Sequence, residues 1–150
     1  MQVQKLTTDY FNQVHDLIKT YSDRRLMLPL SLDELYHRAQ AYRIIVDNDK
    51  VLACAHLDIF TPSLAEIKSL AVLEPEQGKG YGKTLVEDCE KEARIIGIKK
   101  LFVLTFQNEF FAKQGYHVVD RDTLPEKVYK ECVKCAFYQD CKEIAMTKIL

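Results

Sequence analysis

Glycine is scarce in this chain, five in 150 residues, and nowhere does it gather into a linker; internal repeats and low-complexity tracts are also missing. These absences argue against a string of modules and leave one compact domain over residues 1–150. Neither sign of charge is in excess, with 21 Lys and Arg against 22 Asp and Glu and a formal net charge of −1. Without a basic stripe to neutralise successive phosphates, no nucleic acid partner is expected. No apolar run approaches the roughly 18 residues of a membrane span, and the polar start Met1-Gln2-Val3-Gln4-Lys5 lacks the apolar core of a signal peptide. The chain reads as cytoplasmic with no membrane partner, so its five cysteines are expected as thiols or ligands rather than disulfides. What it does have is 47% hydrophobic residues, enough for a full core.

The hydrophobic pattern changes period along the chain. Thr8 is placed to cap a helix whose apolar residues Phe11, Val14, Leu17, Ile18 and Tyr21 fall at helical spacing. Ser31 and Glu34 form a capping box ahead of a second helix carrying Leu32, Leu35, Tyr36 and Ala39. Tyr42 to Asp47 and Val51 to Phe60 are branched, apolar runs around Asp47-Asn48-Asp49-Lys50, which predicts a hairpin. A further strand is expected over 64–72, then a helix closed by Gly97 with Gly82, Leu85, Val86, Cys89, Ala93 and Ile96 on its apolar face. Leu101 to Thr105 reads as a buried strand, Phe110 to Lys113 as a short helix, and Tyr116 to Val119 and Glu143 to Ile149 as strands; 124–141 reads as irregular. Antiparallel hairpins followed by a strand-helix-strand unit predict an α+β fold with a mixed sheet.

The densest chemical signal is the strand ending Ser69-Leu70-Ala71-Val72, a short connection, and Gln77-Gly78-Lys79-Gly80-Tyr81-Gly82-Lys83-Thr84 running into a helix. Glycines at alternate positions leave backbone N–H groups uncovered where a helix offers unpaired donors and the positive end of its dipole, a combination suited to phosphate oxygens. A nucleoside-triphosphatase loop would need glycine at position 77, which is Gln77. A dinucleotide fingerprint would need its third glycine at Lys83 or Leu85. A glycine turn with no ligand is the plain alternative, and the strand-loop-helix context speaks against it.

A third pattern, Q/R-x-x-G-x-G/A, is met by Gln77, Gly80 and Gly82, and on these residues the chain resembles the GNAT superfamily of acyl-CoA N-acyltransferases. Glu66-Ile67-Lys68-Ser69-Leu70-Ala71-Val72 is similar to the fourth strand of that family, and Phe110-Phe111-Ala112-Lys113-Gln114-Gly115-Tyr116 to its later helix-to-strand motif. More narrowly, Leu101 to Thr105, the Phe110-Phe111 pair and Leu124-Pro125-Glu126 resemble the acetyltransferase domain of N-acetylglutamate synthases. The resemblance implies a GNAT fold: a mixed, mostly antiparallel twisted sheet of about six to seven strands flanked by helices, with a V-shaped opening between strands four and five.

That resemblance further implies acetyl-CoA in the V as acyl donor and a small-molecule amine as acceptor. Leu70, Ala71 and Val72 would offer strand backbone to the amides of the pantetheine arm, and Gln77, Gly78, Lys79, Gly80, Tyr81, Gly82 and Lys83 would hold the pyrophosphate. Thr105, Phe111 and Lys113 would complete the cofactor's surroundings, with Lys79, Lys83 and Lys113 adding charge or standing simply as solvated lysines. An alkylamine with a pKa of about 10 must lose a proton before it attacks, and Glu66, beside the expected thioester, is the candidate base; a plain strand glutamate is the alternative. Strict alternation would put Glu66 and Lys68 on one face with Leu70 and Val72, unless a bulge intervenes. The Val72 N–H is the candidate oxyanion donor. Where many family members carry a tyrosine acid this chain has Phe111, leaving Tyr116, Tyr138 or solvent to protonate the thiolate.

Glutamate is the acceptor suggested by the narrower resemblance, yet synthase domains commonly show arginine just before the second helix, where this chain reads Leu28-Pro29-Leu30-Ser31. Arg24, Arg25 and Arg43 are the candidate substitutes. Cys132-x-x-Cys135 and Cys141 are three ligands, one short of a closed zinc site; ordinary thiols are expected, with structural zinc or a redox pair as alternatives and no metal assigned. Cys54 and Cys89 read as core positions, His56 and His117 as strand residues, and His15 and His37 as surface positions on helices. Two other functions stand beside a small-molecule N-acetyltransferase: a protein N-acetyltransferase, and an acyl-CoA-binding sensor module without turnover. A homodimer remains open.

Overall fold

The computed structural model describes residues 2–124 and 143–150. One mixed sheet of seven strands organises them: β1 (Val3–Lys5), β2 (Tyr42–Asp47), β3 (Lys50–Thr61), β4 (Leu64–Val72), β5 (Lys100–Thr105), β6 (His117–Val118) and β7 (Ile144–Ile149), in the order β1-β2-β3-β4-β5-β7-β6. The turn between β2 and β3 carries Asn48 at φ 49° and Asp49 at φ 60°. Two consecutive left-handed residues match the right-handed twist of the flanking strands, and Asn and Asp adopt that conformation more readily than most side chains. Strand β1 has no signature in its three polar-flanked residues; its pairing with β2, Val3 opposite Ile45, is what makes it a strand.

Helix α1 (Phe11–Ser22) begins behind Tyr10, and Thr8 belongs to a preceding 3₁₀ turn, so Thr8 does not cap it as expected. At α2 (Leu32–Arg38) the capping box forms, with Ser31 Oγ accepting from the Glu34 N–H at 3.1 Å and Glu34 Oε1 accepting from the Ser31 N–H at 3.4 Å. Helices α1 and α2 cover one face of the sheet, where Val14, Leu17, Ile18 and Leu35 pack on Tyr42, Ile44, Cys54 and Ala71. Helix α3 (Tyr81–Ile96) covers the other, burying Leu85, Val86, Cys89 and Ala93 against Ala55, Ile67, Leu101 and Val103. The short helix α4 (Asn108–Lys113) follows β5. Tyr116, expected in a strand, instead enters the core ahead of the two-residue β6, its hydroxyl donating to Glu90 Oε2 at 2.9 Å.

The parallel pair decides where the opening lies. Strands β4 and β5 are in register only at Leu64↔Lys100, Ala65↔Leu101 and Glu66↔Phe102. Beyond Glu66 the two strands diverge, β4 running on to Val72 beside β3 and β5 to Thr105 beside β7. A V therefore opens in the middle of the sheet at the carboxyl ends of both strands, with the N-terminus of α3 at its mouth.

Candidate active site

A cleft of about 620 Å³ fills this V and continues over the loop ahead of α3 and beneath the segment after α1. Its β4 edge is shaped by one left-handed residue, Ser69, at φ 55°. The register with β3 shifts there, between Cys54 opposite Ala71 and His56 opposite Lys68. This bulge overturns the strict alternation expected from sequence. Leu70 and Val72 pack toward the α3 side, whereas Ala71 packs with Cys54 and α1. Glu66 and Asp58, directly opposite one another and out of phase with the α3-side pair Ile67 and Leu57, face the α1 side.

The same register aims the backbone. Val72 pairs with Ala53 while the Leu73 N–H donates to the Leu52 carbonyl at 2.9 Å, so Ala53–Val72 is a pair without mutual hydrogen bonds. The N–H and C=O of Val72 consequently point away from β3, into the V. Tyr21, at the end of α1, donates its hydroxyl to that carbonyl and accepts from Gln77 Nε2 at 2.7 Å.

At the mouth, Gly78 (φ +81°) and Gly80 (φ +90°) are left-handed, and a Cβ on either would meet nothing within 4 Å. The loop thus presents bare backbone in front of the first turn of α3, which fits a phosphate group. Gly82 serves packing instead, since a Cβ there would lie 3.3 Å from Cζ of Phe110. Leu70, Ala71, Val72, Gln77, Gly78, Gly80, Tyr81, Gly82, Lys83, Thr105 and Phe111 all line the cleft, as does Glu66. Lys79 and Lys113 do not; Lys79 is turned to Glu76 at 2.8 Å, and that carboxylate raises its pKa.

Glu66 is 6% exposed and lies 3.8 Å from Nζ of Lys68, which in turn binds Asp58 at 2.7 Å. His56 completes this patch, stacked on Tyr42 at 4.6 Å with Nδ1 lacking a hydrogen-bond partner among the described residues, and burial lowers its pKa to about 4. Thr105 Oγ1 accepts from the Gln107 N–H at 2.8 Å. Tyr116 is not available as an acid: it lies outside the cleft, and burial followed by the Glu90 charge pushes its pKa up. Tyr138, Cys132, Cys135 and Cys141 lie outside the described residues. Cys54 and Cys89 are buried as expected, burial pushing both thiols up to about 12, and the Cys54 thiol donates to the Ser69 carbonyl.

The three candidate substrate arginines do not line the cleft. Arg43 is held by Glu92 at 2.9 Å and Asp88 at 3.7 Å on α3, and Arg24 pairs with Glu74. Sequence reasoning missed Arg121, which lines the cleft and donates to the Glu143 carbonyl at 3.3 Å, and also Tyr21, Leu26, Met27 and Leu28. The apolar triplet just before the Ser31 cap was a readable signal; Arg121, in a polar turn, had none.

Comparison with known proteins agrees with this geometry. A model of the acetyltransferase (GNAT) family matches residues 4–116. A Chlorobaculum tepidum protein named as an uncharacterised N-acetyltransferase is 34% identical over 130 residues, 87% of this chain and 84% of that protein. An amino-acid acetyltransferase of Mycobacterium tuberculosis is 29% identical over 132 residues, 86% of this chain and 75% of the relative. Among solved structures, N-acetylglutamate synthase from Neisseria gonorrhoeae, complexed with coenzyme A and N-acetylglutamate, superposes with a TM-score of 0.91 at 25% identity, covering 99% of this chain and 35% of the synthase. The open V, the bare glycine loop and the matched model together place this chain in the acetyltransferase (GNAT) family of N-acetyltransferases.

Proposed function

We propose that this protein transfers the acetyl group of acetyl-CoA to the primary amine of a small metabolite of the amino-acid class, by direct attack of the amine on the thioester. The observation that carries the reading is the run of β4 backbone left unpaired beyond Glu66, with the Val72 N–H turned into the V and leading to the bare Gly78–Gly80 loop. Leu70 to Val72 would pair with the amides of a pantetheine arm as with another strand, and Gly78, Gly80 and the first turn of α3 would hold the pyrophosphate. Acetyl-CoA supplies an activated acyl carbon and a thiol leaving group.

Glu66 takes the proton of the attacking ammonium, directly or through water, as the new C–N bond forms and the C–S bond breaks. The Val72 N–H stabilises negative charge developing on the thioester oxygen. Phe111 offers no proton to the departing sulfur, and a thiolate of pKa about 8.5 leaving bare at pH 7 costs only about 2 kcal/mol, so water suffices. An acyl-cysteine route through Cys54 is disfavoured because its thiol is buried, engaged with Ser69 and raised to about 12.

The test is incubation with acetyl-CoA and a panel of amino acids, polyamines and peptides, with acetylated products quantified by mass spectrometry. Glu66→Gln is expected to lower turnover by roughly 10²- to 10⁴-fold while keeping coenzyme A affinity. Undiminished turnover in that variant removes Glu66 as base; tight coenzyme A binding with no product from any amine removes the transferase reading.

A further inference from the structure

The acceptor end of the cleft has a chemistry of its own. It lies on the α1 side of β4, where Glu66, Asp58 and Lys68 stand, and it is roofed by the segment that leaves α1. Arg25, at φ 60°, turns that segment back, and the Leu26 N–H donates to the Tyr21 carbonyl at 3.0 Å. Met27 is anchored against the core of Leu35, Tyr42 and Ala71. Leu26 and Leu28, flanking it, line the cleft and are 47% and 48% exposed. Three successive apolar side chains held in the wall of a cavity, two of them half-exposed among the described residues, are what an aliphatic ligand group would cover.

The charges at this end point the same way. Lys68 is engaged by Asp58 at 2.7 Å and neighbours Glu66, while Arg121 shares its part of the cleft with Glu143. Among the described residues, Lys68 thus already stands between two carboxylates, Asp58 and Glu66, and Arg121 is engaged by a main-chain carbonyl. A dicarboxylic amino acid would add two more negative groups and would need both cations for itself. One carboxylate, or none, matches what Lys68 and Arg121 can offer.

We infer that the acceptor is a primary amine with an aliphatic arm and at most one carboxylate, an amino acid of the leucine or methionine type, its arm packed on Leu26, Met27 and Leu28 and its nitrogen beside Glu66. This deepens the proposed function and rests on it. The difference from glutamate lies in the far end of the ligand, where, among the described residues, Leu26, Met27 and Leu28 present apolar surface in place of a cation.

The experiment compares kcat/KM for acetylation of L-leucine, L-methionine, glycine and L-glutamate by mass spectrometry, in the wild type and in Leu28→Arg, with Leu26→Arg as a second variant. Leucine and methionine are expected to exceed glycine by at least tenfold, the discrimination an apolar pocket makes for even one methylene, and to exceed glutamate further. Leu28→Arg, at a half-exposed site, is expected to raise the glutamate-to-leucine ratio at least tenfold with an unchanged melting temperature. Leucine no better than glycine, glutamate preferred by the wild type, acetylation of peptides alone, or a ratio that neither arginine variant moves overturns the inference. A wild-type preference for glutamate would overturn the acceptor while leaving the transferase intact, whereas no product with any amine overturns both.

Discussion

Replacing Gly80 by alanine tests the phosphate loop, and Gly97 provides an internal control for strain. The two glycines flank α3 with φ +90° and +106°, and a Cβ on either would meet nothing within 4 Å. An alanine forced into the left-handed region costs roughly 1–2 kcal/mol, so each variant is expected to lose similar stability, about 2–8 °C in melting temperature for a chain of this size. Only Gly80 lines the cleft. There the new methyl group occupies the space in front of the loop N–H groups, and losing one charge-assisted hydrogen bond of about 1.5–3 kcal/mol weakens coenzyme A binding by roughly 10- to 150-fold. Calorimetric titration of coenzyme A into wild type, Gly80→Ala and Gly97→Ala reads the affinities. Melts with and without the ligand give a second readout, since stabilisation grows as RT ln(1 + [L]/Kd). Wild-type affinity in Gly80→Ala, or an equal loss in Gly97→Ala, would refute the placement of the pyrophosphate.

Two further perturbations probe the groups behind the cleft. His56 is 3% exposed with its pKa lowered from 6.5 to about 4. Because the unfolded chain binds a proton that the native state declines, stability falls as pH drops from 6.5 toward 4, by on the order of 3 kcal/mol in full. Urea unfolding at pH 7.5 and 4.5 should show a smaller pH difference in His56→Phe than in wild type, and an identical difference contradicts the reasoning. On the other side of the sheet, Lys148 neutralises Glu90, which is 5% exposed, across 2.9 Å. Lys148→Met should cost about 2–3 kcal/mol, discounted for the partial exposure of the lysine, by removing the counter-charge of a buried carboxylate that keeps the Tyr116 hydroxyl as a donor. Adding Glu90→Gln should recover most of the loss in a thermal melt; no recovery would show that the lysine acts through packing alone.

Much of the architecture was legible because local chemistry and tertiary structure agreed. The Ser31/Glu34 box, the Asn48-Asp49 turn and Gly97 closing α3 each depend on backbone geometry set by a few adjacent residues. Strand β1 was not legible, because Val3–Lys5 becomes a strand only by pairing with β2. The helix start at Thr8 failed for a related reason: a threonine before a helical period is a cap only if the chain turns there, and it turns at Tyr10 instead. Tyr116 read as a strand residue and a spare acid, yet the long-range partner Glu90 takes its hydroxyl into the core.

The family and the position of the glycine loop ahead of α3 were legible from sequence alone, because Gln77, Gly80 and Gly82 form a pattern over a handful of consecutive residues and set backbone conformation locally. The tertiary structure alone decided which way the rest of the site faces. One left-handed serine at position 69 shifts the register, turning Leu70 and Val72 to the α3 side and leaving Glu66 with Asp58 and Lys68 on the other. It also withdrew Arg43 to the acids of α3 and brought Arg121 and the Leu26–Leu28 segment, far apart along the chain, to one cleft. Hydrogen-bond register and long-range packing set those directions, and neither is written in the spacing of neighbouring residues.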